Sequence, residues 1–180
     1  MKTNAMVPAL LCAVALPLLA SQAMAAGEGG DAGQTVTQCK KGEVWDKKKQ
    51  KCVKAQRGAV DDESFYEAGR DLANAKRYDE AIAVLELAGN RNDPRILNYL
   101  GYSNRKLGRV EIGLKYYQAA LAAKPDYTLV REYLGEAHLQ MGNLAAAKEQ
   151  LAEIQRLCSG TACEEYRDLA EEIEAFEKKG

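Results

Sequence analysis

The chain has 180 residues, 25 of them Lys or Arg and 26 Asp or Glu, and this near balance excludes the strongly basic field on which nucleic-acid binding relies. His138 is the only His, so no metal site or nucleophile arrangement that needs a second His can be built. Apolar residues make up 47% of the chain, enough to line a packed core.

The chain opens on an export signal. Lys2 precedes an almost wholly apolar run over residues 5–20, and Ala23, Met24 and Ala25 form a small-x-small cleavage site, so residues 1–25 read as a secretory signal peptide. The run is broken by Pro8 and Pro17 and is shorter than the roughly twenty residues a spanning helix needs. Cleavage removes Cys12 and Lys2, leaving four cysteines and a net charge of −2. The expected destination is the periplasm or the medium, where paired cysteines are oxidised.

Residues 26–34 are rich in Gly, Ala and acids with nothing to bury, and read as a flexible linker. Residues 35–60 differ in kind. They bracket the only Trp, Trp45, and a lysine cluster of Lys47, Lys48, Lys49 and Lys51 between Cys39 and Cys52. A bridge between those cysteines closes about fourteen residues, worth about 3 kcal/mol in the chain-entropy treatment, and so short a segment needs such a staple. Trp45 then either packs over the disulfide or offers a stacking platform for a sugar or peptide, with the lysines drawing an anionic polymer. Residues 26–60 carry net +4 and residues 61–180 net −6, so the mature chain is electrically bipolar.

From residue 61 the chain is helical and repetitive. Gly69, Gly101 and Gly135 share one repeat position at steps of 32 and 34 residues. Ala81, Gly113 and Ala147 follow twelve residues after each glycine, and Leu85, Tyr117 and Leu151 four residues later still. Small residues let the two helices of a hairpin approach closely, and the larger residue fills the gap to the next hairpin. Helices are expected over 63–75, 78–88, 94–107, 110–123, 128–141, 144–157 and 163–178. Asp61 and Asp62 suit the first helix start, Pro94 a first helical position, and Gly108 and Gly142 the left-handed stops between partner helices. The last helix, within residues 162–180, sets Tyr166, Leu169, Ile173 and Phe176 on one face against a charged opposite face, as a capping helix must. Cys158 and Cys163 flank its start, where a bridge of about six residues would fix its angle, worth about 2 kcal/mol. A four-Cys metal site or a redox pair would need CxxC spacing, which neither pair has.

This period and its small and large positions resemble the tetratricopeptide repeat family over residues 62–158. The fold implied is an all-α solenoid of three repeats over residues 61–161 with a capping helix. The segment CxxGxVWDxxxxxC likewise resembles a small two-cysteine hairpin found near the start of many exported bacterial proteins. The repeat resemblance implies a concave binding groove: Tyr66, Arg70 and Asn74 from the first repeat, Asn98, Tyr102, Arg105 and Lys106 from the second, and Glu132, Glu136 and Gln140 from the third. Relatives that clamp a terminal carboxylate place basic residues in these slots throughout, whereas here the third repeat is acidic. The expectation is therefore a groove for a peptide or helix of complementary charge.

The functional expectation is a non-enzymatic, cofactor-free protein-binding module of the cell envelope. The alternative is a polymer-binding hairpin with the repeats as spacer. His138, on a helix expected to face its hairpin partner, reads as a packed side chain, and most of the nine Tyr as hairpin packing.

Overall fold

The computed structural model describes residues 39–179, so the expectations for the signal peptide, Cys12 and the linker fall outside the described residues. In chain order the elements are β1 (Glu43–Asp46), β2 (Lys51–Lys54), α1 (Asp62–Asn74), α2 (Tyr78–Leu85), α3 (Pro94–Lys106), α4 (Val110–Ala123), α5 (Thr128–Gln140), α6 (Leu144–Leu157) and α7 (Glu164–Glu177). The helices pair as three antiparallel hairpins, α1 with α2, α3 with α4 and α5 with α6, and α7 packs on α5 and α6.

Local sequence explains most boundaries. The Asp61 carboxylate accepts a hydrogen bond from the Ser64 amide at 2.9 Å, capping α1, and Asp93 caps α3 by accepting from the Arg95 amide at 2.8 Å, with Pro94 at the first helical position. Gly108 and Gly142 stop α3 and α5 at φ of 80° and 76°, while in the first repeat Lys76 takes that left-handed position at φ of 61°. Helix α2 ends at Leu85, three residues before the expected end. Beyond it the Asp62 carboxylate accepts from the Gly89 and Asn90 amides at 2.7 and 2.8 Å and turns the chain away from the helix axis.

The glycine seam is where the hairpins are set. A Cβ on Gly69 would lie 2.3 Å from the Leu85 side chain, and one on Gly101 would lie 2.6 Å from the Tyr117 ring. In the third repeat the expected filler, Leu151, gives way to Leu169 of α7, 2.6 Å from a Cβ on Gly135. The cap helix thus takes over the packing role that helix B plays in the first two repeats. The core follows in three clusters along the solenoid, centred on Phe65 and Leu85, on Tyr117 and Leu134, and on Ile154 and Leu169.

The hairpin β1–β2 is antiparallel, with Trp45 opposite Cys52 in register, and Cys39–Cys52 and Cys158–Cys163 are both disulfides. Asp46 builds its turn by accepting from the Lys48 and Lys49 amides at 2.9 and 3.0 Å. Expected as a stapled unit with no core of its own, the hairpin instead shares the core of the first repeat. Val44 is fully buried in one cluster with Phe65, Ala68 and Leu72, and Val53, Ala55 and Val60 pack against it. An ion pair of 2.6 Å from Lys47 to Glu67 ties its turn to α1. The hairpin therefore closes the first end of the solenoid as α7 closes the other, and it is not a detachable module on a spacer.

At Gly113 an added Cβ would meet the Gly101 carbonyl oxygen at 2.9 Å and the Arg105 Cβ at 3.2 Å, so backbone must yield. Gly113→Ala is expected to cost about 1–2 kcal/mol net of its gain in helix propensity, and to lower the thermal midpoint by several degrees. An unchanged or raised midpoint would contradict the close approach of α3 and α4.

Candidate functional site

Because the hairpins stack in register, the first helices of the three repeats, α1, α3 and α5, present equivalent positions side by side. Their tyrosines form a connected ladder. Ring centroids run 6.0 Å from Tyr66 to Tyr99, 6.3 Å from Tyr99 to Tyr102 and 5.1 Å from Tyr102 to Tyr133, and Tyr78 of α2 joins Tyr102 at 6.1 Å. Such tilted contacts contribute beyond their area and hold the rings rigid. Tyr99 and Tyr133, read from sequence as hairpin packing, are members of this ladder. Arg95 was also missed: its guanidinium sits 4.4 Å over the Tyr66 ring, paired with Glu63 at 2.9 Å and Asp93 at 2.8 Å. The signal was available, since Arg95 and Glu63 occupy one repeat position on successive first helices.

The residues proposed from sequence divide into two sets. Tyr66 and Tyr102 are half-buried in the ladder, and Asn74, Lys106 and Gln140 are exposed. Arg70 is half-exposed, 5.7 Å over Tyr66 and paired with Asp71 at 3.0 Å, and Lys106 lies 5.3 Å over Tyr102. Glu136 is partly exposed at the end toward α7. Arg105, Asn98 and Glu132 are buried, which corrects their placement as open groove contacts.

Arg105 is 2% exposed, covered because Gly113 of α4 has no side chain to hold it off. Its Nε donates to the Tyr117 hydroxyl at 3.3 Å, and its Nη1 lies 2.7 Å from the Glu136 carboxylate, out of line for a hydrogen bond, so charge attraction holds the pair. Removing one partner of such a buried pair costs about 3–5 kcal/mol, so Arg105 cannot be reversed in charge without harming the fold. Asn98 is fully buried with both amide atoms unpaired.

Glu132 is 6% exposed, and no cation lies within ion-pair distance of it among the described residues. Burial first, then the carboxylates of Glu136, Asp168, Glu165 and Glu164, push its pKa up to about 8. The adjacent Tyr133 hydroxyl is raised by burial and by Glu132, and burial raises Tyr127 to about 12. Beyond Glu136 a cavity of about 300 Å³ opens between α3, α5 and α7, lined by Lys106, Glu136, Leu139, Gln140, Glu172, Ala175, Phe176 and Lys179. The face is thus aromatic and cationic over the first two repeats and acidic toward α7.

Elsewhere the chemistry is structural. Burial lowers the pKa of His138, as for a packed imidazole, with Glu149 opposing. Cys158, Cys163 and Glu165 lie within 4.8 Å of one another, but both sulfurs are spent on the disulfide and offer no thiolate. In the hairpin Lys47 pairs with Glu67 and Lys49 with Asp46, while Lys48 and Lys51 are exposed, and Trp45 is half-buried.

The family model described as tetratricopeptide repeat matches residues 66–128 and 100–162, together more than half of the chain. The ycf37 protein of Guillardia theta is 26% identical over 103 residues, 53% of this chain and 58% of that protein, so the chain spans less than two thirds of that relative. The type III secretion translocator chaperone SycD of Yersinia enterocolitica has a similar fold, with TM-score 0.58 and 21% identity over 65% of this chain and 83% of that one. The first TPR of Spaghetti (RPAP3), bound to an HSP90 peptide, gives TM-score 0.57 and 18% identity over 66% and 91% of the two chains. PcrH in complex with the chaperone binding region of PopB gives 0.54 and 25% over 67% and 98%.

The raised Glu132 pKa fixes a sign for stability. Below pH 4.5, its ordinary value, folded and unfolded chains both hold the proton; from there to about 8 only the folded chain does, so this group's contribution falls as pH rises and levels off above 8. Comparing thermal midpoints of the wild type and Glu132→Gln isolates that contribution. The variant is expected to gain on the wild type steadily across this window, and a pH-independent difference would contradict the burial assigned to Glu132.

Proposed function

Because the chain belongs to the tetratricopeptide repeat family, we propose that it is a non-catalytic interaction module of the cell envelope, holding an extended peptide or helix of another protein on the face of α1, α3 and α5. The observation that carries this reading is the tyrosine ladder with Arg70 and Lys106 at its open edge and carboxylates at the α7 end. Rigid aromatic surface binds at low entropic cost, and flanking charges of opposite sign fix the direction of the bound segment. Structural relatives support the mode: the RPAP3 repeat domain holds an HSP90 peptide, and PcrH the chaperone-binding regions of PopB and PopD. A terminal-carboxylate clamp suits this face poorly, because its third repeat supplies Glu132 and Glu136 where such a clamp needs cations.

The envelope location rests on the export signal read in residues 1–25 and on two disulfides, which persist in an oxidising compartment. The hairpin reading has less behind it, since two of its lysines are engaged in ion pairs and its inner face is spent on the first repeat.

A photo-crosslinking side chain at Lys106 of the full chain is expected to capture a partner from the envelope of the source cells, and the same group at the exposed Gln118 of α4 is not. Tyr102→Ala with Lys106→Glu should reduce that capture roughly tenfold or more while leaving helical content intact. Equal capture from Gln118, or capture indifferent to the double substitution, would overturn the groove.

A further inference from the structure

Resting on the groove reading, we propose that the α5 end of the groove is a subsite for a lysine or arginine side chain of the bound segment, with the Glu132 carboxylate as its counter-ion. A buried carboxylate is retained in folded proteins when paired or neutralised, since a packed apolar residue of similar volume would cost less. Glu132 has 6% of its surface exposed and no cationic partner among the described residues. The two buried or half-buried guanidiniums beside it, Arg105 and Arg131, are committed elsewhere. Arg105 of α3 is spent on Glu136 and on the Tyr117 hydroxyl of α4, and Arg131 of α5 turns to Gln150 and Glu153 of α6. From α7, Asp168, Glu165 and Glu164 add to the demand for a positive charge, while Arg167 of the same helix is exposed.

Asn98 is a second buried polar side chain without a partner on this face. It is fully buried, and both its amide nitrogen and its carbonyl oxygen lack partners. Contacts between α3 and α5 step by 31 residues, from Tyr102 to Tyr133 and from Arg105 to Glu136, and this register sets position 98 level with Leu129, one turn before Glu132 on α5. Among the described residues the Glu132 carboxylate has no ion-pair partner and the Asn98 amide oxygen no hydrogen-bond donor. An ammonium brings three donors and a guanidinium five, enough for either to satisfy the Glu132 carboxylate.

The chemistry balances as an exchange of one proton. The free protein holds Glu132 as the acid. When the cation of the partner enters, Glu132 ionises, the ion pair forms, and the proton leaves to solvent. Glycan hydroxyls or a carboxylate terminus would release none.

The test uses the full chain and a displayed library of random twelve-residue peptides. Selection on the wild type is expected to fix a Lys or Arg at one position of the enriched peptides. Replacing that residue by norleucine should weaken binding about tenfold or more to the wild type, and about twofold or less to Glu132→Gln. Calorimetry at pH 7 in two buffers of different ionisation enthalpy should find about one proton released per peptide bound by the wild type, a readout that needs no variant to fold. Enriched peptides without a fixed basic residue, binding without proton release, or equal norleucine losses in both proteins would overturn the subsite while leaving the groove standing. Peptides that bind Tyr102→Ala with Lys106→Glu as well as the wild type, or no enrichment at all, would overturn the groove reading and the subsite with it.

Discussion

The close approach of α3 and α4 at Gly101 and Gly113 is the constraint on which the rest of the structure turns. With no Cβ on either side, the helices come near enough for the Tyr117 ring to lie against Gly101 and for Arg105 to sink beside Gly113. Buried there, Arg105 reaches Tyr117 on its own hairpin and Glu136 on the next, so one side chain fixes the second and third repeats relative to each other. That placement sets Tyr102 against Tyr133 and makes the tyrosine ladder continuous. A solenoid transmits geometry only between neighbours, so a fixed angle at the middle hairpin decides the curvature of the whole face.

Periodicity made the architecture legible. Three glycines at one position, two further glycines at helix ends and Pro94 at a helix start gave seven helices whose bounds agree with the structure to within three residues. What the sequence could not show was depth. Arg105 is polar and lies one turn from Tyr102, and only the missing side chain at Gly113, eight residues away on another helix, buries it. Leu169 takes the place of Leu151 because α7 packs on α5 and α6 there, a contact that no repeat position encodes. The hairpin read as an independent unit because its cysteines are local, while its attachment depends on Val44, one of several similar apolar residues. Tyr99 and Tyr133 were legible as apolar helix positions but not as a ladder, because ring contacts across helices depend on crossing geometry.

Electrostatics divides labour along the same face. Where charges are exposed, as with Lys106, they cost little and guide association. Where they are buried, as with Arg105 and Glu132, one has its partner within the chain and the other has none among the described residues, and that asymmetry gives the groove a direction. Both ends of the solenoid are closed by stapled elements, the β1–β2 hairpin and α7, so its middle is left as the face on which a partner can lie.

The central claim is that the partner binds across the first helices of the repeats. The most direct measurement is backbone amide chemical-shift mapping of the full chain, with and without the captured partner segment. Shifts concentrated in α1, α3 and α5, with α4 and the β1–β2 turn unperturbed, are expected. Shifts concentrated in the hairpin around Trp45, or along α4 and α6, would contradict the account.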